Sequence, residues 1–225
     1  MVKKKVIIIS VGGSVIVPDD IDVGFLKELN KLVRDYKDKY KFILITGGGS
    51  TAREYQKAAD SVAELDAEDL DWLGIHATRL NAHLLRTIFK DIAYSRFIKN
   101  PGKKVKFDNV LIAAGWKPGF STDYDAVKLA ETYNSETVVN MTNIEYLYEK
   151  DPTIYKNAKK IEKTDWEGLK SIVGEKWVPG MNTPFDPEAV KKGVKLGLKL
   201  VLVGNNLHNF RKFLDGKKFK GSIVE

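Results

Sequence analysis

The chain has 225 residues, 43% of them hydrophobic, which is enough for a packed core in one large domain or two fused halves. It has no cysteine, so disulfides and thiolate chemistry are excluded. A net charge of +7 admits nucleic acid or an anionic small molecule as partner, but the lysines gather in Lys37 to Lys41, Lys99 to Lys106, Lys156 to Lys163 and Lys217 to Lys220 with few aromatics between them, the pattern of solvated loops and helix ends.

The basic start, Met1 to Lys5, leads into a strand over Lys5 to Val11, a continuous β-branched run of the kind buried in parallel sheets. That run stops at glycines with no small-residue cleavage site, and no apolar stretch approaches the roughly 18 residues of a membrane span. A cytoplasmic protein with no membrane and no nucleic-acid partner is expected. Gly12-Gly13-Ser14 closes the strand, and Phe25, Leu26, Leu29, Leu32 and Val33 then recur at helical spacing. A second strand, Lys41 to Thr46, runs into Gly47-Gly48-Gly49 and a helix over Ser50 to Ala59, with Ser50 as N-cap candidate. A longer helix spans Asp69 to Phe89. Strands are predicted at Ile92 to Ile98 and Asn109 to Ala114, a helix at Asp123 to Tyr133 and a strand at Glu136 to Met141. Tyr146 to Tyr148 reads as a short hairpin arm ended by Asp151-Pro152. Helices at Asp165 to Ile172 and Asp186 to Leu196, a strand at Lys199 to Val203, a helix at Asn205 to Leu214 and a last edge strand at Gly221 to Val224 complete the chain. Alternating strands and helices imply right-handed crossovers and a mainly parallel sheet. A soft boundary near residue 140 separates an N-terminal half, 1–140, from a smaller half, 141–225, on one continuous sheet.

The two glycine clusters carry the chemistry. Glycine at a strand end lets the backbone turn sharply and approach a ligand closely. The second cluster opens into a helix N-terminus, whose free N–H groups and partial positive charge favour anions. Two such turns in one domain suggest two phosphates, one on each of two substrates. Arg53 lies one helical turn past Gly47-Gly48-Gly49, within reach of a phosphate cradled there, although a tight turn with a surface arginine reads the same residues. Neither a P-loop nor a GxGxxG fingerprint is present. The third strand-end loop, Gly115 to Asp123, holds Trp116, Phe120 and Thr122 and could clasp a base or sugar, or be an ordinary loop capped by Asp123. Asp71 suits helix-dipole compensation, and His76, His83 and His208 lack a third ligand for a metal site. No protein metal site is expected. Tyr148 could stack on a purine and Asp151 could bond a ribose.

In this order, Gly-Gly-Ser, Gly-Gly-Gly-x-x-Ala-Arg, the block Asp71 to Ala82, Ser121-Thr122-Asp123 with Ala126 and Leu129-Ala130-Glu131, Thr142-Asn143, Tyr148, Asp151-Pro152 and Asp186-Pro187 resemble the amino acid kinase superfamily, and within it the archaeal-type uridylate (UMP) kinases. The likeness covers nearly the whole chain. It implies a three-layer αβα sandwich around a mainly parallel sheet, with the phosphoryl acceptor held by the N-terminal half and ATP by the C-terminal half. Carried over to this sequence, Gly13, Ser14, Gly49, Arg53, Thr142, Tyr148 and Asp151 would contact ATP. Gly48, Asp71 and the loop Trp116, Lys117, Pro118, Gly119, Phe120, Ser121 and Thr122 would hold UMP. Arg53 and Asp123 would be the catalytic pair, the first positioning phosphates and the second organising the site. Mg2+ would arrive with ATP, and a homo-oligomer, a hexamer by resemblance, is implied. Three departures stand out: Ser10 occupies the place of a family lysine, Pro184 that of a second, and Ile144-Glu145-Tyr146-Leu147-Tyr148 that of Val-Asp-Gly-Val-Tyr. These leave open a kinase for another small phosphate or carboxylate acceptor, or a nucleotide-binding regulatory or storage protein impaired in catalysis.

Overall fold

The computed structural model describes residues 4–174 and 183–225; the predicted lead-in over residues 1–3 lies outside them. The β-branched run forms β1 (Lys5–Val11) in the middle of a seven-stranded sheet. On one side of it lie β2 (Tyr40–Thr46) and β3 (Val110–Ala113), and on the other β4 (Thr137–Met141) and β8 (Lys199–Val203). These five strands pair in parallel. Beyond β8 come β9 (Ser222–Val224), antiparallel to it, and β7 (Lys163–Thr164). A separate two-stranded ribbon joins β5 (Leu147–Tyr148) to β6 (Lys160–Ile161).

Both faces of the sheet are buried, so its strands carry apolar residues at consecutive positions. Successive side chains go to opposite faces. Ile7, Ile9 and Val11 pack with Phe42, Leu44, Val139 and Val201 beneath α2 (Val23–Tyr36), α4 (Ala67–Ile88) and α8 (Leu207–Leu214). Ile8, Ile43, Ile45, Val138 and Leu200 pack on the other side against α5 (Thr122–Tyr133), α6 (Trp166–Val173) and α7 (Pro187–Leu196). The result is the expected three-layer sandwich.

Five expectations are corrected. Ile92 to Ile98 forms no strand: it bridges β3 at two points, Ala93 to Val110 and Ile98 to Ala113, and the excess residues at the bend through Ser95 and Arg96 break the ladder. Gly13 begins a one-turn helix, α1 (Gly13–Ile16), instead of an open loop. β9 is interior, because the short β7 covers its outer side. Two caps are reassigned. Helix α3 (Gly49–Asp60) starts ahead of Ser50, whose hydroxyl donates to the Asp19 carbonyl, and α5 is capped by Ser121 and not Asp123.

The order β3-β2-β1-β4 means that the chain leaves β1 in both directions across the sheet. In open α/β sheets such a switch point leaves a crevice at the carboxyl ends of the strands, where ligands bind.

Candidate active site

Val11 and Thr46 are register partners, so the turns after β1 and β2 emerge side by side. Each is anchored by one backbone bond, Gly12 N–H to the Met141 carbonyl at 2.8 Å and Gly47 N–H to the Val11 carbonyl at 2.9 Å. The turns touch. A Cβ on Gly13 would lie 1.9 Å from the Gly49 nitrogen and 2.7 Å from that of Gly48, and a Cβ on Gly47 would lie 2.3 Å from the Gly13 nitrogen. Gly49 also has φ +69°, which favours glycine. Among the described residues, the N–H groups of Gly13, Ser14, Gly48 and Gly49 have no protein acceptor. They form a cradle of free donors at the mouth of the crevice, the arrangement that binds phosphate oxygens.

Next to this cradle, at the switch point, is a cavity of about 570 Å³. Ser14, Arg53, Thr142, Tyr148 and Asp151 line it, together with Thr122 and Asp123. Arg53, in the second turn of α3, is exposed and donates to the Pro18 carbonyl at 3.2 Å. Thr142 leaves β4 and donates to Asn143 Oδ1 at 3.1 Å. Tyr148, on β5, meets Tyr146 edge-on. The Asp151 carboxylate accepts bonds from the hydroxyl and N–H of Thr153, which hold it below the usual carboxylate range. Five of the seven residues expected to contact ATP thus line one cavity, and the other two, Gly13 and Gly49, belong to the adjoining cradle. Ser10, Asn140 and Leu202, the inward positions at the ends of β1, β4 and β8, complete the lining.

The acidic centre was only partly legible. Ser10 donates its hydroxyl to Asp123 Oδ1 at 3.1 Å. Desolvation, then repulsion by Asp186, raises the Asp123 carboxyl to about 7, and the Ser10 bond opposes that rise. Asp125, two residues on, is fully buried. Its Oδ2 accepts the Trp116 N–H at 3.0 Å, while Oδ1 has no partner. Burial raises it to about 8 despite the Trp116 bond, with Asp186 and Asp123 adding repulsion. Asp186 caps α7 through Oδ1 and accepts the Ser121 hydroxyl on Oδ2. The sequence signal for Asp125 and Asp186 is weak, because aspartate near a helix start is ordinarily a cap or a dipole partner.

The acceptor group assembles beside the second glycine turn. Gly48 packs between the α3 residue Ala52 and Ala77 of α4. Asn81 donates to the Gly47 carbonyl at 2.8 Å. Asp71 Oδ2 accepts the Gly119 N–H at 2.8 Å, and Arg79 donates to the Trp116 carbonyl at 3.0 Å, so two charged residues of α4 clamp the 115–121 loop. Burial lowers the Arg79 pKa, and its Nε has no partner. Within the loop, the Trp116 and Phe120 rings lie 5.1 Å apart, and the Lys117 ammonium is 4.6 Å and 5.1 Å from their respective centres. Pro118 and Gly119 form the tip. Ser121 is engaged by Asp186 and by the Tyr124 N–H, so its hydroxyl serves the frame of the site. His76 and His83 sit against Trp72 and Phe97. Among the described residues no cluster of three or more His, Cys, Asp or Glu could hold a metal ion.

A three-layer α/β sandwich with two touching glycine turns at its switch point defines a class of protein built to hold phosphates between strand ends. Within that class the chain belongs to the amino acid kinase family, whose model matches residues 5–203. It is similar to a uridylate kinase of Pyrococcus abyssi, 33% identical over 204 residues that cover 88% of this chain and 89% of the relative. It is also similar to a uridylate kinase of Thermoplasma volcanium, 30% identical with 97% of each chain covered. Among solved structures it resembles uridylate kinase from Archaeoglobus fulgidus, with TM-score 0.83, 26% identity and coverage of 97% of this chain and 99% of the other.

Proposed function

We propose that this chain transfers the γ-phosphoryl group of ATP to UMP, giving ADP and UDP. The observation that carries the reading is the contact between the two glycine turns, whose four free N–H groups leave one place where a donor and an acceptor phosphate can meet. The uridylate kinase relatives, similar over most of their length, support UMP as the acceptor. Phosphoryl transfer asks for in-line placement and charge neutralisation and little covalent chemistry from the protein. Gly13 and Ser14 would hold ATP phosphates, Gly48 the UMP phosphate, and Gly49 and Arg53 both. Thr142, Tyr148 and Asp151 would hold the adenosine. Asp71 would hold the ribose, and the loop from Trp116 to Thr122 the uracil. In this reading residues 1–140 are the acceptor half and 141–225 the ATP half.

Asp123 organises the site, and an acceptor phosphate that is already anionic needs no strong base. The donor set suits a cation brought by ATP: two neighbouring carboxylates, Asp123 and Asp186, repel each other, and a positive ion relieves that repulsion. Asp123 is the residue that would face Mg2+, which supplies neutralisation of phosphate charge when bound. The chain would act in the cytoplasm as a homo-oligomer, a hexamer by family resemblance, which light scattering would test. Among the described residues no helix is long and apolar enough to cross a membrane.

An ADP-release assay with UMP, CMP and other monophosphates in the presence of Mg2+ tests the assignment. Turnover with UMP well above the others is expected. Turnover only with another acceptor would replace UMP. One observation favours a second reading: where the family lysine would stand, Ser10 offers Asp123 a neutral hydroxyl and no positive charge. A protein that binds ATP and UMP by calorimetry but releases no ADP would be a nucleotide-binding regulatory or storage protein.

A further inference from the structure

The proposed reaction leaves three lysine-bearing stretches without a role: the basic start, the run ending at Lys41, and Lys99 to Lys106. They are far apart in sequence, yet they meet. Lys4, Lys5, Lys41, Lys104 and Lys106 surround one cavity of about 970 Å³ at the amino ends of the central strands. The glycine turns lie at the opposite rim, roughly 23 Å away along a seven-residue strand.

The cavity is built, not merely charged. Its walls include Tyr40, Phe107, Tyr133 and Phe213. The Tyr133 hydroxyl accepts the Val105 N–H at 2.9 Å and donates to the Val105 carbonyl at 3.2 Å, which pins the segment carrying Lys104 and Lys106. The Tyr133 ring meets Phe107 edge-on at 5.6 Å. Lys41 donates to the Phe107 carbonyl at 2.7 Å and lies 5.4 Å from the Phe107 ring centre, and Lys4 donates to Asn109 Oδ1 at 2.8 Å. The Lys104 ammonium lies 5.7 Å from the Tyr133 ring centre.

The charge is also uncompensated. Among the described residues none of the five lysines makes an ion pair, whereas lysines elsewhere on the surface do: Lys163 and Lys199 share Glu225, and Lys128 and Lys192 share Glu131. Among the described residues the only carboxylate on the cavity wall is that of Glu136. Like charges around a concave, partly apolar surface reinforce one another's field and raise the local concentration of anions. An ammonium on a flexible stem meets phosphate as a point charge, so several are needed around one ligand.

We propose that this cavity is a second anion site, separate from the glycine cradle, which takes a small anion carrying two or more phosphates. Inorganic polyphosphate and nucleoside triphosphates share that chemistry, and the aromatic walls would add affinity only for the second. The experiment uses the full chain and inorganic tripolyphosphate, with lysine acylation read by mass spectrometry. Tripolyphosphate is expected to protect Lys41, Lys104 and Lys106 several-fold while leaving Lys27 and Lys195, which are exposed and line neither cavity, as reactive as before. In calorimetry, Lys104→Glu combined with Lys106→Glu should weaken one tripolyphosphate site at least tenfold and leave UMP kinase activity in its absence unchanged. Should the double charge reversal fail to fold, Lys104→Gln with Lys106→Gln replaces it and should weaken the same site several-fold. Repeating the titration with GTP separates the sources: a tighter site than for tripolyphosphate points to a nucleotide. No protection, or equal affinity in the folded variants, overturns the proposal. A single-stranded RNA oligomer that binds these lysines more tightly than tripolyphosphate also overturns it, in favour of a nucleic-acid surface.

Discussion

At the scale of single residues, the site depends on which groups carry charge. Arg53 is exposed and, among the described residues, held by the Pro18 carbonyl alone, so its removal should spare the fold. Arg53→Ala is expected to lower UMP kinase activity at least tenfold, since a bidentate contact to phosphate contributes upwards of about 1.4 kcal/mol. Wild-type turnover in that variant would refute its role. Ser10 lowers the Asp123 pKa by donating to it, so Ser10→Ala should raise that pKa above about 7. If ionised Asp123 is the active form, the acid limb of the kcat profile moves to higher pH, and an unmoved limb would detach Asp123 from catalysis. Asp125 is raised from 3.8 to about 8, so the folded state binds more protons than the unfolded state between those values. Its contribution is fully present below about pH 4 and is lost as pH rises through about 8. Asp125→Asn keeps the shape of the protonated form and should raise Tm by about 2 °C or more at pH 9 with little change at pH 4. An equal gain at both values would show that titration is not the cause. Asp123 was legible because the motif around it is distinctive. Asp125 was not, because burial and a lone bond to Trp116 are facts of packing.

At the scale of elements, the glycine turns show how closely two backbones must approach. A Cβ at Gly13 would overlap the Gly49 backbone, with 2.6 Å to its Cα. Overpacking against backbone costs about 2 kcal/mol or more, so Gly13→Ala should lower Tm by about 4 °C or more and abolish turnover. Gly119→Ala is the control. Nothing lies within 4 Å of its Cβ, and φ +82° alone should cost about 1 kcal/mol. Tm values measured side by side test the pair, and equal losses would mean that the turns are not in contact. Apart from the one-turn α1 and the two-residue strands β6 and β7, which carry no periodic signal and are not predicted, the strand and helix patterns located the elements to within about two residues, because both faces of the sheet are apolar and the helices keep a 3.6-residue period. The exceptions have local causes. A bend at Ser95 and Arg96 interrupts what the composition reads as a strand. Ser121 and not Asp123 caps α5 because Ser121 also reaches Asp186, a residue 65 positions away.

At the scale of the whole molecule, the boundary near residue 140 falls inside β4, whose pairing to β8 joins the two halves into one sheet. A fragment of residues 1–140 would leave the β8-facing edge of the truncated β4 unpaired and expose Val138 and Val139, both fully or nearly fully buried in the whole chain. It is expected to show no cooperative thermal transition by circular dichroism, whereas the full chain should unfold in one. A cooperative transition in the fragment would make the halves independent domains.

The amino-acid sequence alone determined the alternation of strands and helices and the two glycine turns, since these follow from periodicity and from residues whose conformational freedom is local, and its ordered motifs carried the resemblance to the family. Tertiary structure decided what depends on distance: that the turns touch, that burial with the nearby Asp186 raises the pKa of Asp123 and Asp125, and that five scattered lysines face one cavity. Proximity between residues remote along a chain is set by strand order and packing, and no local pattern encodes it.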